Sequence, residues 1–211
     1  MQRAFVTFAD RQDRPRFLST ILAPYLHGSV LDVGCDRAVL RDFVGAERYT
    51  GIDRSPEADI HQDLQSSGLL PFEDRSWDTV VCTDVLEHLE NLHAIFEELV
   101  RVARTHVLIT LPNCWNSGRQ RLRRGSGSIA HYGLPLEPPG DRHRWFFSLL
   151  EAEAFFLGQA ERKGLKIVEL LALEKERPAA VRWLRRARFP DERRYLNLFA
   201  HTLVCVYRQP A

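Results

Sequence analysis

The chain has 211 residues, 45% of them hydrophobic, so it can bury a core without disulfides or bound metals. Its 29 basic and 28 acidic residues give a net charge of +1, which excludes a strong overall attraction to nucleic acid or to membranes. No apolar run reaches the ~20 residues of a membrane span, and the four cysteines lack CxxC spacing. We therefore expect one domain over residues 1–211, no integral membrane segment, buried thiols and a cytoplasmic location.

The first half of the chain alternates predicted helices and strands. Helical spacing over residues 15–27 precedes a strand at 30–33, and a glycine separates that strand from a predicted helix at 37–44. The second strand, Arg48–Asp53, is followed by a connection too short for a full helix. The strongest strand signal is the β-branched run at Trp77–Thr83, which is typical of a strand buried on both faces.

The remaining regular elements continue the alternation. They are helices at 84–103 and 148–163 and strands at 106–111, 165–171 and 198–207. This order indicates right-handed βαβ units. We therefore predict an α/β fold, a Rossmann-like doubly wound sheet that is mostly parallel, with an antiparallel last strand and helices on both faces.

Two segments lack a regular pattern. Residues 113–144 are rich in Gly, Pro, Ser and Arg, and we interpret about 113–147 as a lid-like insert without predicted secondary structure. A second, basic insert at about 177–195 is too irregular to predict a helix. Its arginines could cover the entrance to the active site together with the lid-like insert, touch RNA or lie on an anionic membrane surface.

The turn after the first strand indicates a nucleotide-like cofactor. Gly34 ends that strand, and Asp53 follows about 20 residues later, where an acid can bind the hydroxyls of a ribose. The full dinucleotide fingerprint is missing, because Asp36 and Ala38 stand where small residues would be expected. An NAD-dependent oxidoreductase is therefore a weak alternative.

Four motifs in order make the chain resemble the class I S-adenosylmethionine (SAM) dependent methyltransferases over about residues 26–207. They are VLDVGC, YTGID, HQDLQSSGLLPFEDRSWDTVVCTDVLEHLEN and RVARTHVLITLPN. The last motif and the basic insert after it are similar to the branch named for the methionine-biosynthesis protein MetW. The resemblance implies a SAM-dependent methyltransferase, and the MetW likeness implies an alternative, a non-catalytic SAM-binding or regulatory partner protein.

The resemblance also implies which residues bind SAM and its product S-adenosylhomocysteine (SAH). Asp53 would bind the ribose, Asp63 the adenine amino group, and Thr83 would lie beside the sulfonium. Asp36 would put a carboxylate near the carboxylate of SAM, which Arg37 could offset. The implied cofactor-binding residues are Asp32, Gly34, Cys35, Asp36, Asp53, Arg54, Asp63, Leu64 and Thr83.

Methyl transfer depends mainly on positioning, and a base is needed only for a protonated nucleophile. The candidate catalytic residues are His88, His131, Tyr132 and His143. The candidate substrate-binding residues, for a carboxylate or phosphate on the acceptor, are Arg119, Arg123, Arg142 and Arg144. We predict a small, anionic acceptor and disfavour nucleic acid, since neither basic segment has an RNA-binding fold signature.

A DxxEH cluster begins the helix predicted at 84–103. Asp84 and Glu87 would share one helix face and, with His88 and His143, could hold a divalent metal. Helix capping and packing explain the same residues more simply. We therefore expect no metal here and leave the metal-bound alternative open.

Overall fold

The computed structural model describes residues 1–6, 13–44, 48–129 and 131–210. Its strands are β1 (Gln2–Val6), β2 (Ser29–Val33), β3 (Arg48–Asp53), β4 (Ile60–His61), β5 (Trp77–Thr83), β6 (Ala103–Pro112), β7 (Lys166–Lys175) and β8 (Thr202–Arg208). Its α-helices are α1 (Asp13–Ile21), α2 (Leu64–Ser67), α3 (Leu92–Val102), α4 (Cys114–Arg124), α5 (Leu149–Lys163), α6 (Ala179–Arg188) and α7 (Glu192–Phe199).

The described strands form one mixed sheet in the order β1-β7-β8-β6-β5-β2-β3-β4. The last strand, β8, runs antiparallel to both β6 and β7, and the other neighbouring pairs are parallel. The prediction of a mostly parallel sheet with an antiparallel last strand is therefore confirmed. Because β2, β3 and β5 are parallel neighbours, their carboxyl ends meet at one edge of the sheet.

Helices cover both faces of this sheet, as predicted. Val80 belongs to a larger core layer that α3, α5 and α7 cover, whereas Val81 belongs to a smaller layer beneath α1. Successive side chains of a strand point to opposite faces, so a continuous apolar run supplies both layers at once. This double burial explains why β5 has the clearest sequence signal in the chain.

The sequence prediction missed β1. This five-residue strand lies at the sheet edge and pairs in parallel with β7, with Gln2 opposite Leu171 and Val6 opposite Lys175. Its first two residues are exposed, and only Val6 is buried. The hydrogen-bonding partner is more than 160 residues away, so local periodicity could not indicate it.

Two helix predictions near the cavity are wrong in detail. The segment predicted as a helix at 37–44 contains only a 3₁₀ turn, Val39–Asp42, because Ala38 has a left-handed φ of 52°. The helix predicted over 84–103 begins only at Leu92, since Asp84 has a φ of 53° and Leu89 is extended. A 3₁₀ turn at Leu86–His88 lies between them.

The two segments predicted as irregular contain helices. Asn113 caps α4, which ends at Gly125 with a φ of 65°, so the lid-like insert begins with a regular helix. The basic insert holds α6 and the start of α7. By contrast, α5 confirms its prediction, with a Ser148 capping box and Gly164 as its stop. None of the helices in the described part of the chain is long and apolar enough to cross a membrane.

Candidate active site

A cavity of about 780 Å³ opens where β2, β3 and β5 end, which is the size of a typical small-molecule site. Parallel α/β sheets bind ligands at this edge. All the residues that the resemblance implied for the cofactor line this one cavity, namely Asp32, Gly34, Cys35, Asp36, Asp53, Arg54, Asp63, Leu64 and Thr83. The fold therefore brings together side chains that are up to 51 positions apart in the sequence.

The turn at Gly34 requires glycine for two independent reasons. Its φ is 79°, in the left-handed region, and a Cβ atom there would lie 2.3 Å from Cγ2 of Val85. The Gly34 N–H donates to the carbonyl of Ile52 at 2.8 Å, which ties the turn to β3. The missing side chain lets the backbone pass close to any ligand in the cavity.

The two positions where glycines were expected also have left-handed backbones. Asp36 has a φ of 50° and Ala38 a φ of 52°, so both carry a strain that glycine would relieve. The Asp36 N–H donates to Oδ2 of Asp53 at 3.1 Å. The turn thus keeps the glycine-type conformation with other residues, held in place by the acid at the end of β3.

Asp53, the last residue of β3, and Asp63, which follows β4, accept hydrogen bonds from the backbone and can accept further hydrogen bonds from a ligand. Asp53 accepts from the N–H of Asp36 and, at 2.9 Å, from that of Ser55, so each oxygen keeps a free lone pair. Asp63 is the N-cap of α2 and accepts from the Gln65 N–H at 2.9 Å. Both carboxylates are held by these bonds in fixed positions on the cavity wall.

Asp32 is the buried acid of the site, with 4% of its surface exposed. Burial, together with the nearby charge of Asp53, raises the pKa of Asp32 to about 7, although the Tyr49 hydroxyl donates to its carboxylate at 2.8 Å. The proton equilibrium of Asp32 therefore lies near neutral pH. A cationic ligand group in the cavity would favour its charged form.

The candidate catalytic residues form one cluster, of which His88 lines the cavity. The His88 ring lies 4.5 Å from that of His143, which stacks on His131 at 4.4 Å. The Tyr132 hydroxyl is 2.9 Å from Nδ1 of His143. The other three candidates, His131, Tyr132 and His143, are not among the described cavity-lining residues. The cluster therefore reaches the cavity through His88.

Tyr132 is poorly suited to act as a base. Burial and the neighbouring Cys114 thiol raise the pKa of Tyr132 well above its usual value. Its hydroxyl lies 2.6 Å from the carbonyl of Trp145, to which it donates. The contacts of Tyr132 thus link His143 to the backbone at Trp145.

The four candidate arginines separate into two pairs. Arg142 and Arg144 line the cavity, whereas Arg119 and Arg123, on α4, are not among the described residues that line it. Arg119 stacks on the ring of Phe199 at 4.5 Å. Among the described residues of the insert, those that line the cavity lie at 139–144.

Contacts to two parts of the chain, Arg54 and the segment 87–90, hold that part of the insert. The Arg54 side chain donates to the carbonyl of Gly140 at 3.0 Å. The Arg144 N–H donates to the carbonyl of Glu87 at 2.8 Å, and its side chain pairs with Glu90 at 3.2 Å. The segment therefore closes one side of the cavity in the position that the structure describes.

Sequence reasoning missed Arg14 and its ion pair with Asp84. Arg14, in the first turn of α1, lines the cavity and pairs with Asp84. The Thr110 hydroxyl also donates to Asp84, at 2.5 Å. The available signal for Arg14 was an arginine in a helix that leads into β2. Its partner Asp84 is 70 residues away, so the sequence did not indicate the ion pair.

Solved methyltransferases share this fold. A methyltransferase from Archaeoglobus fulgidus described as SAM dependent has a TM-score of 0.60 and 16% identity, with 96% of each chain covered. Magnesium protoporphyrin IX methyltransferase (ChlM) from Synechocystis PCC 6803, solved with bound SAH, has a TM-score of 0.56 and 17% identity, covering 94% of this chain and 83% of that one. A third solved chain comes from the complex between the Haloferax volcanii Trm112 methyltransferase activator and a methyltransferase. It has a TM-score of 0.54 and 19% identity, covering 97% of this chain and 100% of that one.

The sequence itself identifies the family. Residues 6–170 match the family model described as a methyltransferase domain, Methyltransf_23. The chain therefore belongs to this family, and its fold is that of the class I SAM-dependent methyltransferases. No curated protein matches the chain. The MetW likeness stays a prediction.

Proposed function

We propose that the protein transfers a methyl group from SAM to an oxygen, nitrogen or carbon nucleophile of a small, anionic acceptor. The observation that carries this proposal is the convergence of the predicted cofactor residues on one cavity at the carboxyl edge of the sheet. Family membership supports the reaction type. SAM supplies the activated methyl group, so the protein has to bind and orient it.

In this proposal the two ends of SAM are held by different features. Asp53, whose carboxylate is fixed by two backbone N–H groups, binds the ribose hydroxyls. Asp63 and the backbone of Leu64 bind the adenine. Gly34 admits the methionine part, and Asp32 orients the turn or a bound water near the ammonium group.

The anionic acceptor is supported by Arg142. This exposed side chain lines the cavity and makes no ion pair with any residue in the described ranges. Arg144 also lines the cavity, although Glu90 partly neutralises it. We propose that the lid-like part of the insert is confined to about residues 139–144, where Arg142 meets the acceptor.

Calorimetry with SAM, SAH and NAD tests the cofactor. We expect SAM and SAH to bind and NAD not to, and binding of NAD alone would refute the proposal. Radiolabelled methyl transfer to a panel of carboxylates, phosphates and neutral analogues then tests the acceptor. Arg142→Gln should raise KM for anionic acceptors about tenfold, whereas Arg123→Gln, the same change of charge on α4, should leave KM unchanged.

A non-catalytic SAM-binding partner protein is the second candidate. The strained, non-glycine residues Asp36 and Ala38 favour it, since Asp36 adds a carboxylate to the cavity. The Haloferax chain was solved with an activator protein, which makes a protein partner worth testing here. This function predicts that the isolated protein binds SAM but transfers no methyl group to any acceptor. It also predicts that an enzyme which copurifies with the protein carries out the transfer.

A further inference from the structure

A cluster of ligand-type side chains lies beside the cofactor cavity, and the proposed methyl transfer does not require it. Glu87, His88 and His143 each offer one metal-ligand atom, and these atoms lie within 4.8 Å of one another. We propose that these three residues bind a divalent transition-metal ion. For Glu87 and His88 of the DxxEH cluster, the structure therefore favours metal binding over the simpler explanation of helix capping and packing.

Glu87 supplies the first independent observation. Its side chain is 1% exposed, and its Oε2 atom has no hydrogen-bond partner among the described residues. Its Oε1 atom lies 3.8 Å from Nε2 of His88. Leaving a buried carboxylate oxygen without a hydrogen bond is costly. A cation bound between these groups would remove that cost.

The hydrogen bonds of the two histidines supply the second observation. Nδ1 of His88 lies 3.1 Å from the carbonyl oxygen of Arg142. A carbonyl only accepts, so Nδ1 carries the proton and Nε2 keeps its lone pair. That lone pair is on the side of the ring where Glu87 lies.

His143 has the same arrangement through Tyr132. Nδ1 of His143 lies 2.9 Å from the Tyr132 oxygen, and the Tyr132 hydroxyl donates its own proton to the carbonyl of Trp145 at 2.6 Å. Nδ1 is therefore the donor, and Nε2 is again the nitrogen with a lone pair. A second hydrogen bond that fixes the tautomer is the usual support of a metal-binding histidine.

The donor set indicates the class of ion. One carboxylate oxygen and two imidazole nitrogens suit zinc, iron or cobalt better than magnesium or calcium. A tetrahedral ion needs donor atoms about 3.4 Å apart, which small side-chain rotations would provide.

The surroundings of the cluster set its remaining ligand position. Asp84 is already engaged by Arg14 and Thr110, so we assign it no direct role. Asp141 lies 3.2 Å from Nδ1 of His88 and 3.4 Å from Nδ1 of His131, where it can orient both rings. His88 and Asp141 line the cavity, so an open ligand position would face it. If the proposed function holds, that position would receive an oxygen of the acceptor.

Metal titration of the full chain tests the site without any methyl transfer. Purified protein freed of metal with a chelator is titrated with Co²⁺, whose visible absorption reports a nitrogen and oxygen ligand set, and with Zn²⁺ by calorimetry. We expect one ion per chain. Glu87→Gln and His143→Gln should each weaken binding by about 100-fold or more, and Tyr132→Phe by about tenfold.

His61→Ala is the matched control, because His61 is an exposed histidine on β4, outside the cluster. It should bind Co²⁺ as the unchanged protein does. Thermal unfolding of each variant identifies any that does not fold, and His143, half-buried in the insert, provides a test that does not disturb the core. Unchanged affinity in folded Glu87→Gln and His143→Gln proteins, or no Co²⁺ absorption at all, would overturn the metal site. Failure of SAM to bind would instead refute only the proposed function.

Discussion

Replacing Asp32 with asparagine should stabilise the protein without ligand and weaken its binding of SAM. The pKa of Asp32 rises from 3.8 to about 7 on folding, because burial disfavours its charge. Three units correspond to about 4 kcal/mol of lost stability once the carboxylate is ionised in both states. The Tyr49 hydroxyl, which donates to Oδ2 at 2.8 Å, can donate to the asparagine oxygen instead.

The sign of the effect fixes its pH dependence. A raised carboxyl pKa means that stability is fully present below the unfolded pKa and is lost as the pH rises through the folded pKa. Urea unfolding should therefore show Asp32→Asn to be more stable by about 4 kcal/mol at pH 8 and by about 2 kcal/mol at pH 5. An advantage that does not change between these pH values, or a less stable variant at pH 8, would refute the reasoning.

The matched control is Asp36→Asn, which removes an exposed carboxylate from the same cavity. It should change stability little. Its effect on SAM affinity should be opposite, since Asp36 is expected to face the carboxylate of SAM and Asp32 its ammonium group. Calorimetry should show about tenfold weaker SAM binding for Asp32→Asn and severalfold tighter binding for Asp36→Asn. Equal effects of the two variants on affinity would contradict these positions.

Three further variants test the site and its support. Gly34→Ala should cost about 3 kcal/mol in urea unfolding and abolish SAM binding, because the new Cβ would meet Val85 in a left-handed turn; a stable variant that binds SAM would exclude this role of the turn. Asp53→Asn should lower SAM and SAH affinity at least about tenfold by calorimetry, and it should lower the melting temperature, because the amide nitrogen cannot accept one of the two backbone N–H groups that bond to Asp53. Arg101→Ala should cost about 3 kcal/mol, since buried Glu98 would lose the guanidinium that donates to it at 2.6 Å, while SAM affinity stays the same.

The sequence by itself determined the strands that build the cavity. The bounds of β3 and β5 were predicted to the residue, because a buried strand between polar neighbours is a local pattern. Gly34 and Asp53 also follow from local signals, a glycine after a strand and an acid at a strand end. The order of such signals sufficed for the fold class and for these two cavity residues, whereas the others followed from the family resemblance.

Tertiary contacts decided the basic insert, which local patterns predicted as irregular. In α6, Arg185 stacks on the ring of Phe199 at 4.4 Å and Arg186 on that of Tyr195 at 4.7 Å. These cation–π contacts join α6, none of whose side chains is buried, to aromatic rings of α7. The aromatic partners belong to a different helix, so the charge pattern alone resembled that of a solvated loop.

Tertiary structure also decided which residues of the DxxEH cluster are available. The sequence placed Glu87 and His88 side by side, but it could not show that Glu87 would be buried or that His143 would approach from the insert. Nor could it show that Asp84 would be taken by Arg14. Periodicity reports which face of an element is apolar, whereas the tautomer of His88 depends on the Arg142 carbonyl, 54 residues away.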